Sequence, residues 1–156
     1  MFDHILVPLD GSGLSEQALH MAQKLARSSK ATIHLIQVIS RQAELEASHS
    51  SGDYSPQLSE MGRDLARRLI EDRLSRGKEY LERVAAAVKD AEVEVQTSIL
   101  EGAADENIVK YSKEHGVDLV VMSTHGYGGI RRLLLGSVTD RVIRSCEVPV
   151  LVMPCS

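Results

Sequence analysis

Residues that could bind a phosphate group lie close together in the last third of the chain. Gly126 and Gly129 belong to a loop of small residues, and nine residues separate Gly126 from Gly136 and Ser137. Glycine adopts positive φ readily, so such a loop can turn several backbone N–H groups toward one anion. The hydroxyls of Ser137 and Thr139 would add further donors.

The segments on either side of these residues indicate how they would be held. An unbroken apolar run, 119–122, precedes the loop and is typical of a strand buried on both faces. A helical pattern begins at Ser137. The first turn of a helix has four N–H groups without partners and partial positive charge, which favours a phosphate. The alternative is an ordinary strand-to-helix connection in which Ser137 is a plain N-cap.

Composition limits the class of protein. The chain has 156 residues, 43% hydrophobic and 26% charged, with a net charge of −4. These values predict one soluble domain and give no indication of nucleic-acid or membrane binding. No apolar run approaches the ~20 residues of a membrane-spanning helix, and residues 1–10 do not resemble a signal peptide. Cys146 and Cys155 form no metal-binding spacing, so we expect a cytoplasmic protein without a structural metal.

The elements alternate between strand and helix patterns along the chain. Strands are predicted at 5–9, 31–39, 93–100, 119–122 and 148–153, and helices from Ser12 onward, over 61–90, over 105–115 and from Ser137 onward. This alternation predicts an α/β domain over 1–156, with a five-stranded parallel sheet and helices on both faces. The polar segment 41–59 is interpreted as a mobile surface loop.

The long helix should present one apolar stripe to the sheet. Its apolar positions step by three and four residues, with Gly77 at a point of close approach: Leu65, Leu69, Ile70, Leu74, Leu81, Val84, Val88. Its numerous arginines alternate with acidic residues, which is typical of a solvated face and not of a nucleic-acid site.

A dinucleotide site is a weaker alternative near the first strand. Gly11 and Gly13 follow a strand and open a helix, but Glu16 occupies the position of the third glycine of that motif. The second strand ends at 38–40 without an acidic residue for a ribose. Both parts are needed by the dinucleotide-binding mechanism.

In parallel sheets, ligands bind beyond the carboxyl ends of the strands, where the strand order reverses. The first and fourth strands are expected to flank this point. Pro8 and Asp10 would then lie opposite residues 122–129, which brings two loops suited to ligand binding together. This convergence is stronger evidence for a ligand site than either loop alone.

Four segments resemble the universal stress protein family: 5–12 (ILVPLDGS), 120–126 (VVMSTHG), 134–138 (LLGSV) and 148–152 (VPVLV). The resemblance follows the whole chain in order, apart from segment 41–59. It implies a single Rossmann-like domain of the adenine nucleotide alpha hydrolase type.

The nucleotide-binding branch of that family carries the pattern Gly-x₂-Gly-x₉-Gly-Ser/Thr. Here the pattern is Ser123-x₂-Gly126-x₉-Gly136-Ser137, so a serine stands in place of the first glycine. The Cβ of that serine adds bulk near the sugar and phosphates, while its hydroxyl could reach a phosphate.

The resemblance implies ATP across the switch point, with Mg²⁺ bridging phosphate oxygens. The adenine and ribose would lie on the side of Pro8 and Asp10, and the phosphates at the glycine loop and the following helix. The implied nucleotide-binding residues are Pro8, Asp10, Val38, Met122, Ser123, Thr124, His125, Gly126, Gly129, Gly136, Ser137, Val138 and Thr139. A homodimer through edge strand 148–153 is also expected, since an apolar edge strand needs cover.

The sequence favours a regulatory ATP-binding protein over an enzyme. It has no Gly-x₄-Gly-Lys-Ser/Thr loop, and no lysine follows Gly136 to stabilise charge during phosphoryl transfer. One alternative is a dimeric interaction module of the same family that does not bind nucleotide, for which Ser123 is the best argument. An ATP hydrolase or nucleotidyl transferase is less favoured, because His125-Gly126 has no second histidine nearby.

Overall fold

The fold is described by a computed structural model that covers residues 1–41, 56–90, 92–124 and 135–154, with side chains in the long helix described from Glu60 onward. Five strands alternate with four helices in these residues: β1 (His4–Leu9), α1 (Gly13–Ser29), β2 (Thr32–Ile39), α2 (Pro56–Val88), β3 (Glu94–Glu101), α3 (Ala104–Glu114), β4 (Leu119–Ser123), α4 (Ser137–Ser145) and β5 (Val150–Met153). None of these helices is long and apolar enough to cross a membrane.

The strands form one parallel sheet in the order β3-β2-β1-β4-β5. β1 lies between β2 and β4, with Ile5 opposite both Ile33 and Leu119. The strand order therefore reverses at β1, which confirms the predicted switch point between the first and fourth strands. β5 is an edge strand, as predicted, and is shorter than the apolar run 148–153.

The central strands are buried on both faces because helices cover both sides of the sheet. α1 and α2 pack on one face over side chains such as Ile5 and Ile33. α3 and α4 pack on the other face over Leu6, Ile36 and Val120. Every residue of β4 is buried, which explains its unbroken apolar run.

Helix α1 begins as its sequence predicts. Ser12 is the N-cap, and its side chain accepts a hydrogen bond from the backbone N–H of Ser15. At the other end, Lys30 ends the helix in the left-handed region at φ 59°. α3 ends in a similar way before Gly116, whose φ is 61°.

Helix α2 differs from the sequence prediction at its start. It begins at Pro56 and spans 33 residues, so the predicted loop 41–59 overlaps its first turn. Proline is favoured in the first turn because its missing N–H has no helical partner to lose. Residues 42–55, the remainder of that predicted loop, lie outside the described residues.

Only the second half of α2 packs on the sheet. Leu81 and Val84 are buried, whereas Leu65 and Leu69 are 61% and 47% exposed. The predicted continuation of the buried stripe through these two leucines is therefore wrong. The physical reason is length: 33 helical residues span about 50 Å, whereas an eight-residue strand spans about 27 Å.

Gly77 marks the place where α2 reaches the carboxyl end of the sheet, and the predicted close approach is confirmed there. A Cβ at Gly77 would lie 2.8 Å from Cδ1 of Ile99 and 2.9 Å from Oε1 of Gln37. Both residues lie two positions before the ends of their strands. The earlier turns of α2 thus extend past the sheet.

Candidate functional site

A cavity of about 160 Å³ lies at the carboxyl ends of β1, β2 and β4, beside the N-termini of three helices. It is lined by Pro8, Leu9, Asp10, Ser15, Val38, Ala104, Ile108, Met122, Ser123, Gly136, Ser137, Val138 and Thr139. These residues come from five separate parts of the chain. The parallel sheet brings them together because all its strands end at the same edge.

Most of the nucleotide-binding residues predicted from the sequence line this cavity, and Thr124 is the exception among those described. Its backbone N–H donates to the carbonyl of Met153 at 3.0 Å, which ties the end of β4 to β5. His125, Gly126 and Gly129 were also predicted and lie outside the described residues.

One side of the cavity is apolar. Pro8 and Val38 lie at the ends of neighbouring strands, and Ala104 and Ile108 from the first turns of α3 line the same space. The two α3 residues were missed in the sequence analysis. A usable signal was present, since α3 follows the end of β3 by two residues and its N-terminus must lie at the carboxyl edge.

The opposite side is formed by the first turn of α4. Gly136 is the N-cap, and Ser137 is therefore the first helical residue. As a glycine, Gly136 provides no side-chain hydrogen bond to the helix. The alternative in which Ser137 is a plain N-cap is therefore wrong. Ser137, Val138 and Thr139 carry N–H groups for which the helix has no acceptor, and all three residues line the cavity. An anion at this position would be stabilised by those groups and by the helix dipole.

The acidic residue in the first turn of α4 is already paired with a cation. Asp140 lies in the first turn, and both of its carboxylate oxygens accept hydrogen bonds from Nε of Arg144 at 3.0–3.1 Å. Thr139 is only 4% exposed, so its side chain is part of the buried wall.

Asp10 has a structural function as well as a place in the cavity wall. Its Oδ1 accepts hydrogen bonds from the backbone N–H and the hydroxyl of Ser12, at 2.9 Å and 2.6 Å. Gly11 between them adopts φ 85°, which an L side chain rarely adopts. The turn holds the Asp10 carboxylate at the exposed rim, beside the apolar side of the cavity.

Ser123 ends β4 and is 8% exposed. Its position in the wall places a Cβ and a hydroxyl where the family pattern has a glycine. The serine fits the strand without distortion, because an extended backbone accepts any L residue.

The described residues that line the cavity carry one formal charge. Among the described lining residues none carries a positive charge, and Asp10 is the one carboxylate. Tyr80 of α2 approaches Ser15, and burial followed by the nearby carboxylates of Glu16 and Asp10 raises its pKa to about 12. It is therefore a neutral phenol at neutral pH. No group of three or more potential metal ligands occurs within the described ranges.

Comparison with known proteins assigns the class. The universal stress protein family matches residues 1–154, and the chain therefore belongs to this family. The chain is 31% identical over 156 residues to universal stress protein MJ0531 of Methanocaldococcus jannaschii, with 98% of this chain and 82% of that protein covered.

Solved structures agree with this assignment. The structure of protein MJ0577 from the same organism superposes with a TM-score of 0.72 at 27% identity, covering 100% of this chain and 98% of that one. A universal stress protein solved in complex with cAMP has a TM-score of 0.61 at 24% identity, covering 99% of this chain and 98% of that one. The predicted α/β fold with its five-stranded parallel sheet is thereby confirmed.

Proposed function

We propose that this protein binds ATP in the cavity at the carboxyl edge and acts as a regulatory, dimeric stress protein of the cytoplasm. One observation carries the proposal. An apolar slot and an N-terminal helix turn with unpaired N–H groups line the same cavity, at the point where the strand order reverses. A ligand with a flat apolar ring at one end and anionic groups at the other matches both sides.

The charges around the cavity support one orientation of the nucleotide. Asp105 and Glu106 occupy the first turn of α3. Arg141 lies 3.6 Å from the Asp105 carboxylate and compensates part of this charge, and the charge of Glu106 disfavours phosphates at that end. The adenine is therefore assigned to the slot between Val38 and Ile108. The phosphates are assigned to the first turn of α4.

The remaining polar groups fit the sugar and the metal. Asp10 at the rim is placed to accept hydrogen bonds from ribose hydroxyls. Mg²⁺ prefers phosphate oxygens and water with one or two carboxylates, and the cavity offers few other ligands. The cavity residues therefore fit a Mg²⁺ ion that is already bound to the phosphates when ATP enters. The ion would lower the negative charge of the phosphates beside Asp10.

We expect hydrolysis to be slow or absent. Phosphoryl transfer depends on cations placed around the transferred group, and the described lining residues include no lysine or arginine. Turnover of ATP well above ~1 s⁻¹, near the low end for enzymes, would instead favour a hydrolase on this fold.

Calorimetric titration with Mg·ATP tests the proposal, with AMP and cAMP titrated in parallel because a protein of this fold has been solved with cAMP. We expect micromolar binding of ATP, about −8 kcal/mol. Failure of the folded wild-type protein to bind any of the three would contradict the proposal. The result would favour the alternative of an interaction module without nucleotide.

The variant Ser137→Ala tests the phosphate position. Removal of one hydroxyl donor to a charged group should weaken ATP binding about tenfold, or about 1.4 kcal/mol. Ser145→Ala is the matched control, because Ser145 ends the same helix and does not line the cavity. Equal affinities of the two variants would contradict the placement of phosphates at α4.

A further inference from the structure

A chain of two hydrogen bonds, one half-buried and one buried, joins β1, β2 and α3 near the amino end of the sheet. His34 of β2 is only 3% exposed, and both of its ring nitrogens have partners. Its Nε2 lies 3.1 Å from Nδ1 of His4, and its Nδ1 lies 3.2 Å from the hydroxyl of Tyr111. The path therefore leads from a half-buried histidine on β1, through a buried one, to a tyrosine on α3.

The α3 end of this chain is itself tightly packed. The rings of Tyr111 and His115 stack with centroids 3.7 Å apart and planes 9° from parallel. Nδ1 of His115 lies 3.1 Å from the carbonyl oxygen of Tyr111. The Tyr111 hydroxyl also lies 3.4 Å from Oγ of Ser98 on β3. Tyr111 thus connects the last turn of α3 to two strands of the sheet.

Two other histidines and few acids surround the buried ring. His4 faces His34 from β1 and His115 faces it from the C-cap of α3, while the carboxylate of Glu94 on β3 acts on the ring in the opposite direction. Asp118 accepts hydrogen bonds from the backbone N–H groups at Asp3 and His4, so it is engaged with the main chain. A proton added here is opposed by other histidines more than it is balanced by carboxylates.

Counting protons shows what the contact can tolerate. A neutral imidazole has one N–H donor and one acceptor nitrogen, whereas its protonated form has two donors. The contact between His4 and His34 needs one proton between the two nitrogens. One added proton can be accommodated by a change of tautomer. With both rings protonated, two N–H groups would point at each other and the hydrogen bond would be lost.

We propose that the chain His4–His34–Tyr111 makes the attachment of α3 to the sheet sensitive to acid. At neutral pH the chain is complete and holds α3 to β2. On acidification the unfolded protein can protonate each histidine freely, while the folded cluster cannot. The attachment is therefore weakened, and the stability of the domain decreases, as the pH falls.

The direction of the shift at the buried ring agrees with this geometry. Burial, and then the proximity of His4 and His115, lowers the pKa of His34 from its ordinary value of 6.5, against a smaller opposing effect of Glu94. Below about pH 6.5 the folded state then binds fewer protons than the unfolded state, so stability falls as pH falls and is unaffected above that range. One such proton lowers the folding constant up to about tenfold per pH unit.

A second consequence rests on the proposed nucleotide site. The first turns of α3 contribute Ala104 and Ile108 to the cavity, while its last turn carries Tyr111. Loosening of α3 by acid should therefore weaken nucleotide binding as well. The stability test below is made without nucleotide, so its failure can be distinguished from failure of the nucleotide site.

Urea unfolding of the full chain at about pH 7.5 and about pH 5.5 tests the proposal. Between these conditions the wild-type folding constant should fall up to about tenfold more than that of His34→Gln, which keeps a donor and an acceptor but does not titrate. His20→Gln is the matched control, because His20 is exposed on α1. It should retain the wild-type dependence on pH.

A direct titration of the wild-type His34 ring by NMR keeps the test decisive if His34→Gln does not fold. A midpoint below the ordinary histidine value supports the proposal. Titration at or above that value overturns it, and so does a His34→Gln variant whose stability changes with pH as the wild type does. Hydrogen exchange, corrected for the intrinsic effect of pH, should show α3 amides losing protection at the lower pH.

Discussion

At the scale of single residues, Ser123 is the position at which the proposed nucleotide site departs from the family pattern. It replaces the first glycine of the family's nucleotide-binding pattern and lies in the cavity wall at the end of β4. Its neighbour Thr124 belongs to the pairing with β5 through Met153. The wall therefore has one side chain at a point where the family pattern leaves space for the ligand.

Ser123→Gly should tighten ATP binding by about threefold to tenfold, because it removes a Cβ from the wall at the sugar and phosphates. The measurement is calorimetric titration with Mg·ATP. Ser40→Gly is a suitable control, since Ser40 follows the end of β2 and does not line the cavity. Weaker binding by Ser123→Gly would show instead that the hydroxyl contributes a contact.

At the scale of elements, α2 consists of two halves with different environments. From Gly77 to Val88 the helix packs on β2 and β3, and before that it extends past the carboxyl edge of the sheet. The apolar residues Met61, Leu65 and Leu69 are exposed in this extension. A leucine therefore contributes differently to the stability of the domain in the two halves of α2.

A matched pair of leucine substitutions distinguishes the two halves of α2. Leu81 is 1% exposed, so Leu81→Ala should lower the free energy of unfolding by about 2–5 kcal/mol through lost burial and a residual cavity. Leu65→Ala should change it by no more than about 0.5 kcal/mol. Urea unfolding of the isolated protein measures both. A large loss for Leu65→Ala would mean that the extension is covered by another part of the molecule.

At the scale of the whole molecule, the two edges of the sheet are unequal. β3 is covered by α2 on one face, and its first half carries the exposed polar residues Glu94, Gln96 and Thr97. β5 is short, apolar and half-buried throughout, and within the described residues its outer edge has no partner strand. An apolar edge of this kind favours pairing with a second chain.

We predict a dimer through β5. Val152→Lys should produce monomers, because a charge on an apolar edge strand opposes pairing. The same change on the opposite edge, Thr97→Lys, should leave the dimer intact. Sedimentation equilibrium measures the outcome. A wild-type protein that is monomeric at tens of micromolar would contradict this part of the proposed function.

The order and type of the elements were determined by the sequence alone. Unbroken apolar runs such as 119–122 predict strands covered on both faces, and Ser12 predicts the start of α1. These signals are local, because burial on two faces and capping each depend on residues adjacent in the chain. The carboxyl-edge position of Asp10 and Ser137 follows from parallel strands alone, without knowledge of their packing.

Other features were decided only by the tertiary structure. The stripe of Leu65 and Leu69 looks the same as that of Leu81, but the sheet ends before it reaches them. Ile108 enters the cavity because β2 and β1 are neighbours beneath α3. His34 is buried because α3 places Tyr111 over it. Each outcome depends on which distant elements pack together and where they end, which the spacing of residues along one element does not contain.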